Sequence, residues 1–314
     1  MTRDHSSRGP AVGPQAPPDR RTSFLVVSVA YAVAWMAAWS TARVFGESGP
    51  WMAIAMADLV ATGVIFAFSV GTNNSSLYDA YWSVAPVAIV LHVVGHSDGP
   101  WVRDVVWVLL TSAYGARLTW NWARGWPGLH HEDWRYVDLR RKTGRLYWVV
   151  SGLGLHLFPT VMVFLACVPL FPVRDPGAGS VLLEVLGAFV LAAAIAIEGL
   201  ADEQLRAFRR MAQPGEICDV GLWAWSRHPN YFGEIGVWVG VFLLGVGAGA
   251  PWSAGLGALL MILMFVFVSL PLAERRAETK PAWAAYRAAV PSVLVPMPPR
   301  VPARIERVEL RDDE

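Results

Sequence analysis

Hydrophobic residues come in eight runs along this chain, at roughly 23–45, 51–71, 77–97, 101–122, 146–171, 180–200, 231–250 and 253–272. Most approach the ~20 residues a helix needs to cross a bilayer core. The pattern predicts an all-α fold, a polytopic transmembrane helical bundle of about seven to eight helices, with 23–300 as a single transmembrane domain. Composition points the same way. With 54% hydrophobic and 16% charged residues in 314, and a mean hydropathy of +0.39, too little polar surface exists to clothe a water-soluble globule.

Charge supplies the orientation. The loop from Arg124 to Arg145 carries Arg135, Arg140, Arg141 and Lys142 as well. The segment after the sixth run carries Arg206, Arg209, Arg210 and Arg227, and the C-terminal part carries Arg275, Arg276, Lys280 and Arg287. By the positive-inside rule these three belong in the cytoplasm, while the nearly uncharged turns at 172–179 and 249–252 lie outside. Eight spans then leave both termini cytoplasmic. The Pro-, Ser- and Arg-rich residues 1–22 read as a disordered cytosolic tail and not a cleavable signal, and 301–314 as a charged C-terminal tail. The net charge of +1 selects no partner, and nucleic acid is not expected as one. Cys167 and Cys218 are expected to be free thiols.

Several polar residues interrupt the runs, although an acid at a helix centre costs about 2.5–3.5 kcal/mol to insert. They are Asp58, Asp79, His92, His156 and Glu198. The two histidines read as imidazoles bonded to a neighbouring helix. Asp79 opens the third run, where an acid can be hydrated and still face a cavity.

Two stretches concentrate the remaining polarity. In the first, Tyr114, Arg117, Asn121 and Arg124 recur at steps of three and four and so share one helical face. In the second, Asp202 and Arg206 stand one turn apart and are expected to pair or share a ligand. Pro229 suits the first turn of the seventh helix, whose free N–H groups would lie beside Arg227 and His228. Arginine forks and a helix start suit phosphate, and Asn230, Tyr231 and Glu234 can address ribose hydroxyls or an amide. A nucleotide site built from cytosolic loops is therefore expected. It is not a Rossmann site, because Gly152-Leu153-Gly154 lies inside an apolar helix with no third glycine. No metal is expected either, since consecutive His130, His131, Glu132 and Asp133 point in different directions.

The segments Gln213-Pro214-Gly215-Glu216-Ile217, Gly221-Leu222-Trp223 and Asn230-Tyr231-Phe232-Gly233-Glu234-Ile235 resemble the C-terminal domain of the steroid 5α-reductase family. More closely, Arg117-Leu118-Thr119-Trp120-Asn121-Trp122, His131-Glu132-Asp133-Trp134-Arg135-Tyr136 and Ser226-Arg227-His228-Pro229-Asn230-Tyr231 resemble its bacterial, DUF1295-type branch of membrane proteins. The likeness spans about 75–300. It implies an NADPH-dependent reduction of a carbon–carbon double bond conjugated to a carbonyl in a steroid-like or other lipid substrate, at the bacterial inner membrane. Carried over by position, Tyr114 matches the family tyrosine and Asp79 the acid, where the family has Glu. Cofactor-binding positions fall on Arg117, Asn121, Arg124, His131, Asp133, Arg135, Tyr136, Glu198, Asp202, Arg206, Arg227, His228, Asn230, Tyr231 and Glu234, with Arg275, Arg276 and Tyr286 further on. Membrane lipids and a lipid-like substrate are the partners implied.

Two other readings fit parts of the same sequence. Arg227-His228-Pro229-x-Tyr231-x-Gly233 also resembles membrane methyltransferases of the isoprenylcysteine and phospholipid type, whose cofactor is S-adenosylmethionine. That cofactor has no phosphate, and the abundance of arginine weighs against it. A lipid-binding protein without catalysis would have no use for a nucleotide at all.

Overall fold

The computed structural model describes residues 19–171 and 179–299. Most of the expected N-terminal tail, residues 172–178 of the turn expected at 172–179 and the expected 301–314 tail lie outside the described residues. The first helix, α1 (Arg20–Val44), begins earlier than hydropathy suggests because Asp19 caps it, accepting from the Thr22 amide at 2.7 Å. Then follow α2 (Pro50–Gly71), α3 (Tyr81–Gly95) and α4 (Trp101–Gly125). Next come α5 (Trp134–Thr143), the short α6 (Tyr147–Val150), a π-helical stretch Ser151–Leu157 and α7 (Phe158–Cys167). The remainder is α8 (Val181–Met211), α9 (Pro229–Gly247), α10 (Leu256–Met264), α11 (Leu270–Ala277) and α12 (Trp283–Ala289). No strand occurs among the described residues.

Seven of these segments are long and apolar enough to cross a membrane. The fourth expected run, 101–122, forms α4, 25 residues long. It is more polar because Arg103, Asp104, Arg117 and Arg124 share it with its apolar face. Side chains such as Leu25, Trp39, Leu109, Leu153, Leu182, Phe189 and Phe267 are exposed around the bundle, which suits contact with lipid tails. The interior holds Ile65, Val90, Ala166, Leu191, Trp238 and Met261. These features make the chain an integral membrane protein.

The most extensive helix pair is α8 with α9, and small residues set their distance. A Cβ added at Gly240 would stand 2.7 Å from the Leu191 backbone nitrogen, and one at Gly233 would stand 2.6 Å from the Glu198 Cβ. α8 has 31 residues, about 46 Å at 1.5 Å per residue, so its last turns run beyond a ~30 Å core. Its acidic and basic face from Glu198 to Arg206 therefore sits at the end of the bundle where α4, α5 and α11 gather their arginines. We call this the basic end.

Gly240→Val should lower the thermal midpoint in detergent by an amount equivalent to roughly 1–3 kcal/mol, since backbone has to move to admit the side chain. Gly63→Ala, with open space around its position in α2, should leave the midpoint unchanged or slightly raised.

Candidate functional site

Polar side chains at the basic end fall into four groups. The first joins α4 to α8 and α9. The face expected from periodicity forms: Tyr114 donates to Glu234 Oε1 at 2.8 Å, and Arg117 reaches Glu198 at 2.7 Å and Asp202 at 3.0 Å. One turn on, Asn121 donates to Asp202 at 2.9 Å, and Arg124 pairs with Glu203. Asp202 and Arg206 do not pair directly. They share Asn121, whose amide oxygen accepts from Arg206 at 2.5 Å. Glu234 also accepts from Trp238 at 3.0 Å. This ladder is closed: each of its charges has a partner on another helix, and the cavity touching Tyr114 holds only about 10 Å³.

The second group pins a loop onto the turn before α3. Asn74 caps the Ser75–Tyr78 turn, and its amide donates to the backbone oxygens of Leu129 at 2.8 Å and His131 at 3.0 Å. Glu132 accepts from the Ser75 amide at 2.9 Å and from the Arg140 fork at 3.1 Å and 3.2 Å. Asp133 caps α5, takes the Arg135 amide and Nε at 2.8 Å each, and donates its own N–H to Ser76. Tyr136 donates to Asp79 at 2.5 Å. Tyr114 and Asp79, expected to act as one pair, thus each have a different partner.

The third group binds the chain beyond α12 to the loop before α9. Pro229 opens α9 as expected, but Arg227 is 5% exposed and turns away from the helix start. Its Nε and Nη2 donate to Glu274 at 3.1 Å each, and its Nη1 to the Val290 and Pro291 oxygens at 2.9 Å each. His228 meets the same carboxylate at 2.7 Å and stacks on Tyr231 with ring centres 5.4 Å apart. Tyr286 donates to the Trp223 oxygen at 2.8 Å, and burial raises its hydroxyl pKa. Nearby Cys218 is a buried free thiol, pushed up to about 11 by desolvation. Asn230 is the exception here, with a buried side-chain oxygen that has no partner.

The fourth group is open. A cleft of about 700 Å³ is lined by His131, Asp133, Trp134, Arg141, Arg275 and Arg276, among others. Among the described residues none of Arg141, Arg275 and Arg276 joins an ion pair, and Arg276 lies 4.2 Å over the Trp134 ring. Of the expected cofactor positions, His131, Asp133, Arg275 and Arg276 therefore share one cavity, whereas Arg117 and Arg227 are engaged elsewhere.

A second cavity, of about 340 Å³, lies among α1, α2 and α3 and was not foreseen as part of the site. Alanines and aromatic residues line it, with Tyr31, Tyr81, Asp58 and His92 as its polar members. Tyr81 donates to Asp58 Oδ1 at 2.6 Å, while Oδ2 has no partner. The sequence signal was the acid in an apolar run; what it lacked was any sign that Tyr81 would meet it.

Residues 65–290 match the family described as protein of unknown function DUF1295, and the chain belongs to that family. It is 25% identical over 229 residues to uncharacterized protein C594.04c of Schizosaccharomyces pombe, an alignment covering 63% of this chain and 65% of that relative's length. No solved structure matches the chain significantly.

Glu274→Ala should leave the Arg227 guanidinium buried without its carboxylate and destabilise the fold by up to about 3 kcal/mol. The 277–299 segment should then be cleaved faster in limited proteolysis.

Proposed function

We propose that this DUF1295 member is a membrane reductase that saturates a carbon–carbon double bond conjugated to a carbonyl in a flat, lipid-like substrate, with NADPH as reductant. The observation that carries the reading is the Tyr81–Asp58 pair: Asp58 lines an apolar cavity within the spans, and one of its carboxyl oxygens is buried without a partner. An apolar molecule with a single carbonyl has the complementary chemistry. In this reading the basic end faces the cytoplasm, where NADPH is supplied.

The open cleft suits that cofactor. Three unpaired arginines beside an exposed tryptophan match a ligand with several phosphates and stackable rings, and about 700 Å³ falls within the usual range for ligand pockets. Arg141, Arg275 and Arg276 would hold the phosphates. S-adenosylmethionine has no phosphate and leaves these arginines without a purpose. Bound NADPH supplies a hydride.

The residues of the chain do the rest. Asp58, in its acid form, donates from Oδ2 to the substrate carbonyl oxygen and so stabilises the enol as the β carbon is reduced. Tyr81 holds Oδ1 and thereby settles which oxygen carries the proton. Asp79, in the turn before α3, faces Tyr136 on α5, whose neighbours Trp134 and Val137 line the cleft, and Tyr81, two residues on, faces Asp58 at the apolar cavity. Tyr114, with no room beside it for a lipid ring, locks α4 to α9 through Glu234.

The purified protein should gain thermal stability with NADPH, about 2.7 kcal/mol at 100 times the dissociation constant, and not with S-adenosylmethionine. The reverse result would replace the reductase with a methyltransferase, and no shift with either would leave a binding protein. Arg276→Ala should weaken NADPH by about tenfold or more, as loss of one charge-assisted contact predicts. Asp58→Asn should cost turnover at least about 100-fold while keeping the NADPH shift.

A further inference from the structure

The apolar cavity among α1, α2 and α3 has a second polar station that the reaction outlined above does not use. On α1 its wall runs from Tyr31 to Ala42, and on α3 from Tyr81 to His92. Each stretch advances 11 residues, about 16 Å at 1.5 Å per residue. Ala34, Ala38 and Ala42, four residues apart on one face of α1, leave the space between open. Tyr81, which holds Asp58, begins the α3 wall and His92 ends it.

His92 differs from His156, the other histidine expected to bond a neighbouring helix. His156 meets that expectation: Nδ1 lies 3.0 Å from the Ser151 oxygen, and Nε2 lies 3.2 Å from Ser69 Oγ on α2. Among the described residues no group hydrogen-bonds the His92 ring. His96 stacks on it with ring centres 4.4 Å apart, and His96 Nδ1 lies 2.8 Å from the His92 carbonyl oxygen. The His92 ring is therefore braced by its neighbour while its own nitrogens remain unclaimed at the cavity wall.

The cavity also opens toward lipid. α1 and α3 meet at Tyr31 and Tyr81, with ring centres 6.4 Å apart, but α1 packs mainly on α2, and α3 on α4 and α7. Trp35 and Trp39 of α1 and Leu91 of α3 line the cavity and are themselves exposed, so its side gives onto the lipid-facing surface of the bundle. A molecule that enters there comes from the bilayer. A lipid with a polar group at one end alone would leave the His92 nitrogens without a partner, and a site built to bond a hydroxyl discriminates against a ligand that lacks it.

We propose that the substrate is a lipid with a polar group at each end, whose carbonyl meets Asp58 while a hydroxyl at the far end bonds His92, so that His92 selects substrates by length. The inference rests on the reductase reading and adds the far end of the molecule to it. The two groups are separated by at most about 16 Å, the rise of α3 from Tyr81 to His92. The apolar stretch between them lies along the alanines of α1. A neutral imidazole suits a hydroxyl in either sense, since one nitrogen donates and the other accepts. His92 determines specificity and takes no part in the bonds that change.

Equilibrium binding to the purified full chain in detergent, with no NADPH present, tests this without turnover. The probes are rigid enones of increasing length, each made once with a terminal hydroxyl and once with a methyl group in its place. At one length the hydroxyl form should bind about tenfold or more tighter than its methyl partner. His92→Leu should remove that preference and keep the affinity for the methyl partner, which also shows that the variant is folded. Ala38→Leu or Ala88→Leu, by narrowing the cavity, should weaken both forms. A hydroxyl preference at no length, a preference that survives His92→Leu, unchanged affinity in both alanine variants, or uptake that never saturates, as surrounding lipid alone would give, would overturn the proposal. A preference that depends on His92 in a protein that reduces no enone with NADPH would leave the two-ended site standing and remove the reductase. Reduction with equal KM for both forms at every length would do the reverse.

Discussion

A carboxylate among membrane-spanning helices has little water to turn to, and this fold depends on nearly every one finding a donor on a different helix. Glu184 has Arg103, Glu198 and Asp202 have Arg117, Glu234 has Tyr114, Asp79 has Tyr136 and Asp58 has Tyr81. Apolar surface offers little drive for helices to associate in lipid, so contacts of this kind carry register as well as attraction. α4 shows the consequence. It is the most polar of the long helices, and it is held because its charged face is matched residue for residue by α8 and α9.

That matching depends on backbone approach. Gly233 has no side chain to hold α9 away from Glu198, so Glu198 and Glu234 stand on adjoining surfaces and Arg117 and Tyr114 meet both from α4. The same arrangement explains why the arginines with the most conspicuous sequence context are unavailable to a ligand. Arg117 and Arg227 lie deep enough that leaving them unpaired would cost several kcal/mol, so internal acids claim them. Surface arginines bear no such cost, and those of the open cleft remain unpaired.

Much of this was legible in the sequence, and the rest was hidden for identifiable reasons. The apolar runs predict the helices within a few residues, except that α8 continues to Met211, where the run turns amphipathic instead of ending. The shared face of Tyr114, Arg117, Asn121 and Arg124 was legible because helical period alone decides it. Asp202 with Arg206 was not, since a same-helix pair competes with donors from α4 that spacing cannot reveal. Arg227 finds its acid 47 residues away and its carbonyls 63 and 64 residues away. Asp58 and Tyr81 are separated by 23 residues and a helix boundary, and a tyrosine in an apolar run looks like any other core aromatic.

The turn from Asn74 to Tyr81 is where these separate constraints converge. The reduction proposed above joins a charged nucleotide to a lipid, reactants that dissolve in opposite media, and a rigid segment between their two sites would suit it. Asn74 and Ser76 tie this turn to the 129–133 loop, and Tyr31 donates to the Leu77 oxygen from α1 at 2.9 Å. Asp79 then looks toward the cleft-bearing α5 and Tyr81 toward the apolar cavity, from positions two residues apart. Loosening the turn would disturb both contacts together, because this one short segment holds Asp79, which accepts from Tyr136, and Tyr81, which donates to Asp58.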